Sequence, residues 1–144
     1  MGIRKRILLI DDDSNFLEIN KKILVYAGYD VSTISESKNI IGNDNVCTYD
    51  LIICDLVMPE MDGIEVLKYI MCNYPKSKVI ILTGNGSINT AVEAIKLGAY
   101  TYIEKPVIPD RLVKKIDDIF HIIEKPNNDF FEEEIKDLFI GNSS

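Results

Sequence analysis

Short apolar runs alternate along the chain with stretches in which apolar residues recur every three or four positions. The run at 7–10 is followed by Phe16, Ile19, Ile23 and Ala27, which share one helical face that ends at Gly28. A weaker strand at 29–34 leads into a polar segment with a helix predicted around 36–43. The run at 51–54 predicts a strand, and 64–72 predicts a helix stopped before Pro75. Residues 79–82 form the next strand. Ser87 is placed to cap a helix whose face is Ile88, Ala91, Val92 and Ile95, ended by Gly98. The last strand is expected at 100–103, and Leu112, Ile116, Ile119, Phe120 and Ile123 form the last helical stripe.

These segments make five strand–helix units. Their strands are short, rich in Ile and free of period-two alternation. Both faces of such strands are covered, which predicts a doubly wound parallel sheet with helices on each side. In sheets of this class ligands sit beyond the carboxyl ends of the strands. The residues that end each strand are therefore the first place to look for chemistry.

Strand one ends in Asp11-Asp12-Asp13, strand three in Asp55, strand four in Thr83-Gly84 and strand five in Lys105-Pro106. Taken singly, each has an ordinary structural use. Asp13 or Ser14 suits a helix cap, Thr83 a turn and Lys105 the surface. Taken together, they bring acids, a hydroxyl and a lysine to one edge. Asp11, Asp12 and Asp55 would repel one another and raise each other's pKa. A hard divalent cation resolves that conflict, and Mg²⁺ accepts one or two carboxylates together with water and phosphate oxygens. Lysine and hydroxyl suit phosphoryl oxygens, and a carboxylate can itself be the nucleophile. The set reads as a site for phosphoryl transfer onto Asp55.

Composition narrows the class. The chain has 144 residues, 47% hydrophobic and 27% charged, which suits one domain with a short appendage. A net charge of −7 argues against a nucleic-acid surface, and "RKR" at 4–6 is too short to reverse that. Cys47, Cys54 and Cys72 share no metal-binding spacing and fit free thiols in a reducing, cytoplasmic setting. No apolar stretch approaches the roughly 20 residues of a membrane span. Pro126-Asn127-Asn128 breaks the alternating pattern. Beyond it, Asp129 and Glu132 form a cap before Phe131, Ile135 and Leu138, predicting a short amphipathic turn or helix.

The motifs "ILLIDDDSNF", "DLIICDLVMPEMDG", "VIILTGNGS" and "AYTYIEKP" resemble, in order, the receiver domain of two-component response regulators. The likeness covers residues 6 to 124 and implies a flavodoxin-like (βα)5 fold with strand order 2-1-3-4-5. It implies Asp55 as phosphoacceptor for a sensor histidine kinase, and Mg²⁺ held by Asp11, Asp12, Asp55 and the main-chain carbonyl of Val57. Thr83 matches the switch hydroxyl, Lys105 the phosphoryl-binding cation and Tyr102 the switching aromatic. The bond before Pro106 is expected to be cis. The output surface implied is the helix at 87–97, strand five and the last helix, which with the C-terminal segment is also the candidate homodimer contact. "TGNGSINTAVEAIKLGAYTYIEKP" is similar to receivers of sigma-54-dependent transcriptional activators, and "DLFIGNSS" to the start of their AAA+ ATPase module. On that reading residues 1–124 are the receiver, and 125–144 are a linker, a docking helix or the start of a following domain.

Other classes fit less well. An aspartate-nucleophile phosphatase needs a second acid two residues after the first, where this chain has Val57. A stand-alone receiver acting by protein contact is the nearer alternative. Gly84-Asn85-Gly86 lacks the third glycine of a dinucleotide site, since that position is Asn89. His121, the lone histidine, is expected on a helix surface, so Ser or Cys nucleophiles lack a base. Strand alternation turns Cys54 away from Asp55 into buried packing. Tyr102 fits plain packing nearly as well as a switch. The expectation is a phosphorylation-controlled module with no external product.

Overall fold

The computed structural model describes residues 3–84 and 88–124. The expected cap Ser87, residues Asn85 and Gly86, and the whole tail with Asp129 and Glu132 lie outside them. The chain divides into two compact units, Met1–Val107 and Ile108–Ser144.

The first unit carries a five-stranded parallel sheet in the order β2-β1-β3-β4-β5. The strands are β1 (Arg6–Ile10), β2 (Asp30–Ile34), β3 (Leu51–Asp55), β4 (Val79–Thr83) and β5 (Thr101–Glu104). Every residue of β3 and β4 is buried, which is why these strands show no alternation in sequence. The edge strands β2 and β5 are only partly covered. The register pairs Ile10 with Cys54, Asp55 with Leu82 and Thr83 with Glu104.

Helices α1 (Ser14–Tyr26), α2 (Gly63–Asn73) and α3 (Ile88–Lys96) connect the strands. One face of the sheet turns Leu8, Ile10, Ile52, Cys54, Val79 and Ile81 into a core shared with Val66, Leu67 and Ile70 of α2 and Ala94 of α3. Ile7, Leu9, Leu51, Ile53, Ile80 and Leu82 point the other way, and α1 buries Leu17 and Leu24 on that side. The fold is the doubly wound, flavodoxin-like one expected.

The helix predicted around 36–43 forms instead a single 3₁₀ turn, Ser37–Ile40, followed by a second, Val46–Thr48. Gly42 at φ 77° and the run Asn43-Asp44-Asn45 break any longer helix. The connection still contributes to the core, because Ile40, and Val46 beyond the segment, are fully buried on the α2 side.

Helix ends follow local chemistry. Asp13 caps α1, accepting from the backbone of Asn15 and Phe16 at 3.0 and 3.2 Å. Asp62 caps α2 in a reciprocal arrangement with Glu65.

In the second unit the described residues form α4, Pro109–Glu124. Proline at its first position and Asp110 in its first turn suit a helix start. It buries Leu112, Ile116, Ile119 and Phe120, while Lys114 and Asp118 pair along the exposed face at 3.4 Å. His121 is exposed. No described helix is long and apolar enough to cross a membrane.

Candidate functional site

β1 and β3 are neighbours in register, so Asp11, one residue past β1, and Asp55, the last residue of β3, meet at the carboxyl edge. Asp12 joins them. One carboxylate oxygen from each of the three lies within 4.8 Å of the others. Asp11 and Asp55 are buried, and Asp12 is exposed. Asp11 is anchored at both ends: its backbone nitrogen donates to the Ile34 carbonyl at 3.1 Å, and its side chain accepts from the Asp13 backbone at 2.9 Å.

Lys105 follows β5, and its backbone nitrogen donates to the Thr83 carbonyl at 2.7 Å. That bond directs the side chain back across the edge. Its ammonium lies 2.9 Å from Asp55 Oδ1 and 3.4 Å from Asp11 Oδ2. The Lys105–Pro106 peptide is cis. Thr83 is buried at the end of β4, on the face that also receives Tyr102. Tyr102 is half-buried against the α2-side core. Cys54, on that same face, is buried, and burial followed by the nearby carboxylates pushes its thiol pKa far up. It is packing, not a nucleophile.

The charges do not balance. Burial pushes the Asp55 carboxyl above its ordinary 3.8, Lys105 pulls it down, and the Asp12 charge pushes it up again. Burial also raises Asp11, opposed by the Asp13 backbone hydrogen bond, with Asp55 adding to the rise. Burial pulls the Lys105 ammonium down, but its hydrogen bond to Asp55 and the two carboxylate charges outweigh this and raise it. Among the described residues, one ammonium thus stands against three carboxylates. A purely oxygen donor set with surplus negative charge suits a hard divalent cation, so these residues fit Mg²⁺.

Four contributors were not legible as site residues. Gly63 opens α2 directly against β3. A Cβ there would lie 2.7 Å from the Cα of Leu56 and even closer to the carbonyl oxygen of Asp55, so only glycine lets the helix approach. Its one signal was a glycine directly after the capping Asp62. Ser37, buried, donates to the carbonyl of Met61 and lies 3.5 Å from that of Pro59, tying the first 3₁₀ turn to the loop after β3. Glu60 in that loop has φ 67° and pairs with Lys38 at 3.2 Å. Phe16, read from its spacing as a core-face residue, places its ring centroid 5.4 Å from the Lys105 ammonium.

Residues 7–117 match the response regulator receiver domain family. The chain belongs to that family. Among its relatives, this receiver is 40% identical over 111 residues to the transcriptional regulatory protein ZraR of Klebsiella oxytoca, covering 77% of this chain and 25% of ZraR. It is 36% identical over 120 residues to the chemotaxis protein CheY of Thermotoga maritima, covering 80% of this chain and 97% of CheY. A receiver domain structure from Clostridium thermocellum is 35% identical, covers 83% of this chain and 97% of its own, and superposes with a TM-score of 0.76. The receiver thus spans about a quarter of ZraR but nearly the whole of CheY.

Proposed function

We propose that this receiver is a signalling switch that accepts a phosphoryl group on Asp55 from a sensor histidine kinase. The observation that carries the reading is the edge itself: Asp55 lies 2.9 Å from the Lys105 ammonium and within 4.8 Å of Asp11 and Asp12 oxygens. An Asp55 oxygen attacks phosphorus, the bond to the donor breaks, and the leaving group takes the bonding pair; an acyl phosphate results. Asp11, Asp12, Asp55 and the Val57 carbonyl would hold Mg²⁺, which when bound would supply positive charge to offset the carboxylates and the charge on the transferring group. Lys105 passes from the carboxylate to a phosphoryl oxygen, and Thr83 donates its hydroxyl to another.

Drawing Thr83 inward changes the packing available to Tyr102 and so the surface of α3 and β5. The phosphoryl group prefers one of two existing states, which is what a switch requires. The relatives named transcriptional regulators support an output in transcription, with residues 125–144 leading from the receiver at 1–124 towards an AAA+ output domain. Self-association through the α3 and β5 surface is part of the same proposal.

The test is labelling with acetyl phosphate and Mg²⁺. Wild type should form a base-labile adduct, and a folded Asp55→Asn protein should form none. Undiminished labelling of Asp55→Asn would remove the assignment. Steady turnover of an external phosphoester would favour the phosphatase reading. A beryllofluoride adduct should shift the resonances of residues 83–104; unchanged resonances would exclude this face as the output.

A further inference from the structure

We infer that Phe16 is a positioning residue for phosphoryl transfer, its ring holding the Lys105 ammonium at the mouth of the acid cluster. The inference rests on the reading that Asp55 is the phosphoacceptor.

A lysine is a point charge on a flexible stem, and Lys105 keeps 31% of its side chain exposed, so water competes for the ammonium. Three groups draw it inward: Asp55, Asp11 and the face of Phe16 at 5.4 Å. They differ in constancy. The pull of the carboxylates weakens once a cation shares them, and Asp55 changes charge and shape on phosphorylation. The attraction of the ring depends on neither event. Phe16 therefore keeps the cation near the reacting oxygen through the step in which its carboxylate partners are altered. A third acid in that place would hold the ammonium more tightly and neutralise the charge that the phosphoryl oxygens need.

The ring is fixed for this role. Phe16 lies in the first turn of α1, half-buried and outside the buried core. Its backbone nitrogen donates to Asp13 at 3.2 Å. Its carbonyl accepts from the side-chain amide of Asn20 at 2.9 Å. Asn20 is 4% exposed, and its Oδ1 has no hydrogen-bond partner, unlike any other buried side-chain polar atom among the described residues. Leaving that oxygen dry is costly, and the amide's visible contribution is to hold the Phe16 peptide.

The experiment compares Phe16→Leu, which keeps an apolar side chain, with Phe16→Tyr, which keeps the aromatic face. At saturating Mg²⁺, Phe16→Leu should slow labelling by acetyl phosphate about two- to five-fold, the size of an exposed to partly buried cation–π contact. Phe16→Tyr should label at the wild-type rate. In a Lys105→Ala background, Phe16→Leu should have no further effect, since nothing remains to be positioned. A purely structural role would slow both backgrounds alike. The ε-methylene protons of Lys105 should show an aromatic ring-current shift in wild type and Phe16→Tyr that is lost in Phe16→Leu. That signature needs no phosphorylation. If wild type is not labelled but the ring-current pattern holds, the phosphoacceptor reading fails and the contact stands. If Phe16→Leu labels and resonates like wild type, the inference is overturned.

Discussion

The two ends of the sheet handle charge in opposite ways. At the amino end, Arg6 opens β1 in a partly wet setting among several partners. Its Nε lies 3.4 Å from Asp30, its Nη1 donates to Thr48, and its guanidinium sits 4.6 Å over the Tyr49 ring. Its backbone nitrogen donates to Asp50 at 2.8 Å. At the carboxyl end, Asp11 and Asp55 keep only 1% and 9% of their side chains exposed, and together with Asp12 they have, among the described residues, a single lysine between them. The guanidinium is paired where water would have tolerated it alone, and carboxylates are left in surplus where burial makes that expensive. The amino end serves the fold. The carboxyl end holds its surplus charge at a cost in stability, which the cation and phosphoryl group of the proposed function would offset.

The sharpest way to break this contrast is at Gly63, where the carboxyl end is built too tightly for a side chain. Gly63→Ala forces α2 away from the backbone of Asp55 and Leu56. Overpacking against backbone should cost about 3 kcal/mol in urea unfolding and should weaken labelling in whatever protein remains folded. A stability within a few tenths of a kcal/mol of wild type would show that the close approach relaxes freely.

Next in size is relief of the imbalance. Mg²⁺ at a hundred times its dissociation constant should stabilise the protein by about 2.7 kcal/mol. Asp12→Ala should abolish most of that gain while leaving the amino end untouched. Equal stabilisation of both proteins would place the cation elsewhere.

Protons should relieve the imbalance in a smaller and opposite-handed way. The carboxyls of Asp11 and Asp55 have folded-state pKa values above 3.8, so the folded protein binds their protons more tightly than the unfolded chain. Their favourable contribution is full below the unfolded value and is lost as pH rises through the folded one. Lys105, raised above 10.5, does not titrate in that window. In EDTA, wild type should therefore lose more stability between about pH 4 and pH 7 than Asp55→Asn does. Parallel pH profiles for the two proteins would refute a strained apo site.

The smallest effect belongs to the amino end. Arg6→Ala removes a half-exposed pair and a ring contact, for a loss of about 1 kcal/mol. Labelling should be unchanged. A large fall in labelling would mean that the two ends are coupled.

How much of this was readable beforehand depends on the range of the interaction involved. The buried runs of β3 and β4, the cap Asp13 and the stop at Gly98 follow from neighbours a few residues apart. The edge residues Asp11, Asp55, Thr83 and Lys105 were legible because a parallel sheet delivers every strand end to one side. The segment at 36–43 misled for a local reason. A helix was expected there, but Gly42 and the polar run after it leave no length over which helix propagation could repay nucleation.

The alternation of elements, the covered sheet and the edge on which its chemistry gathers were thus determined by the sequence alone, through periodicity and turn chemistry. Only the tertiary structure decided which atoms meet there: Lys105 on Asp55 across the β3–β5 separation, Phe16 on Lys105, Ser37 on the loop after β3, and Gly63 against the backbone of Asp55. The first three join residues far apart in the chain, and the distances in all four depend on strand register and helix packing. Periodicity can assign a residue to a face, but the partner it meets there is set by close packing of the whole unit.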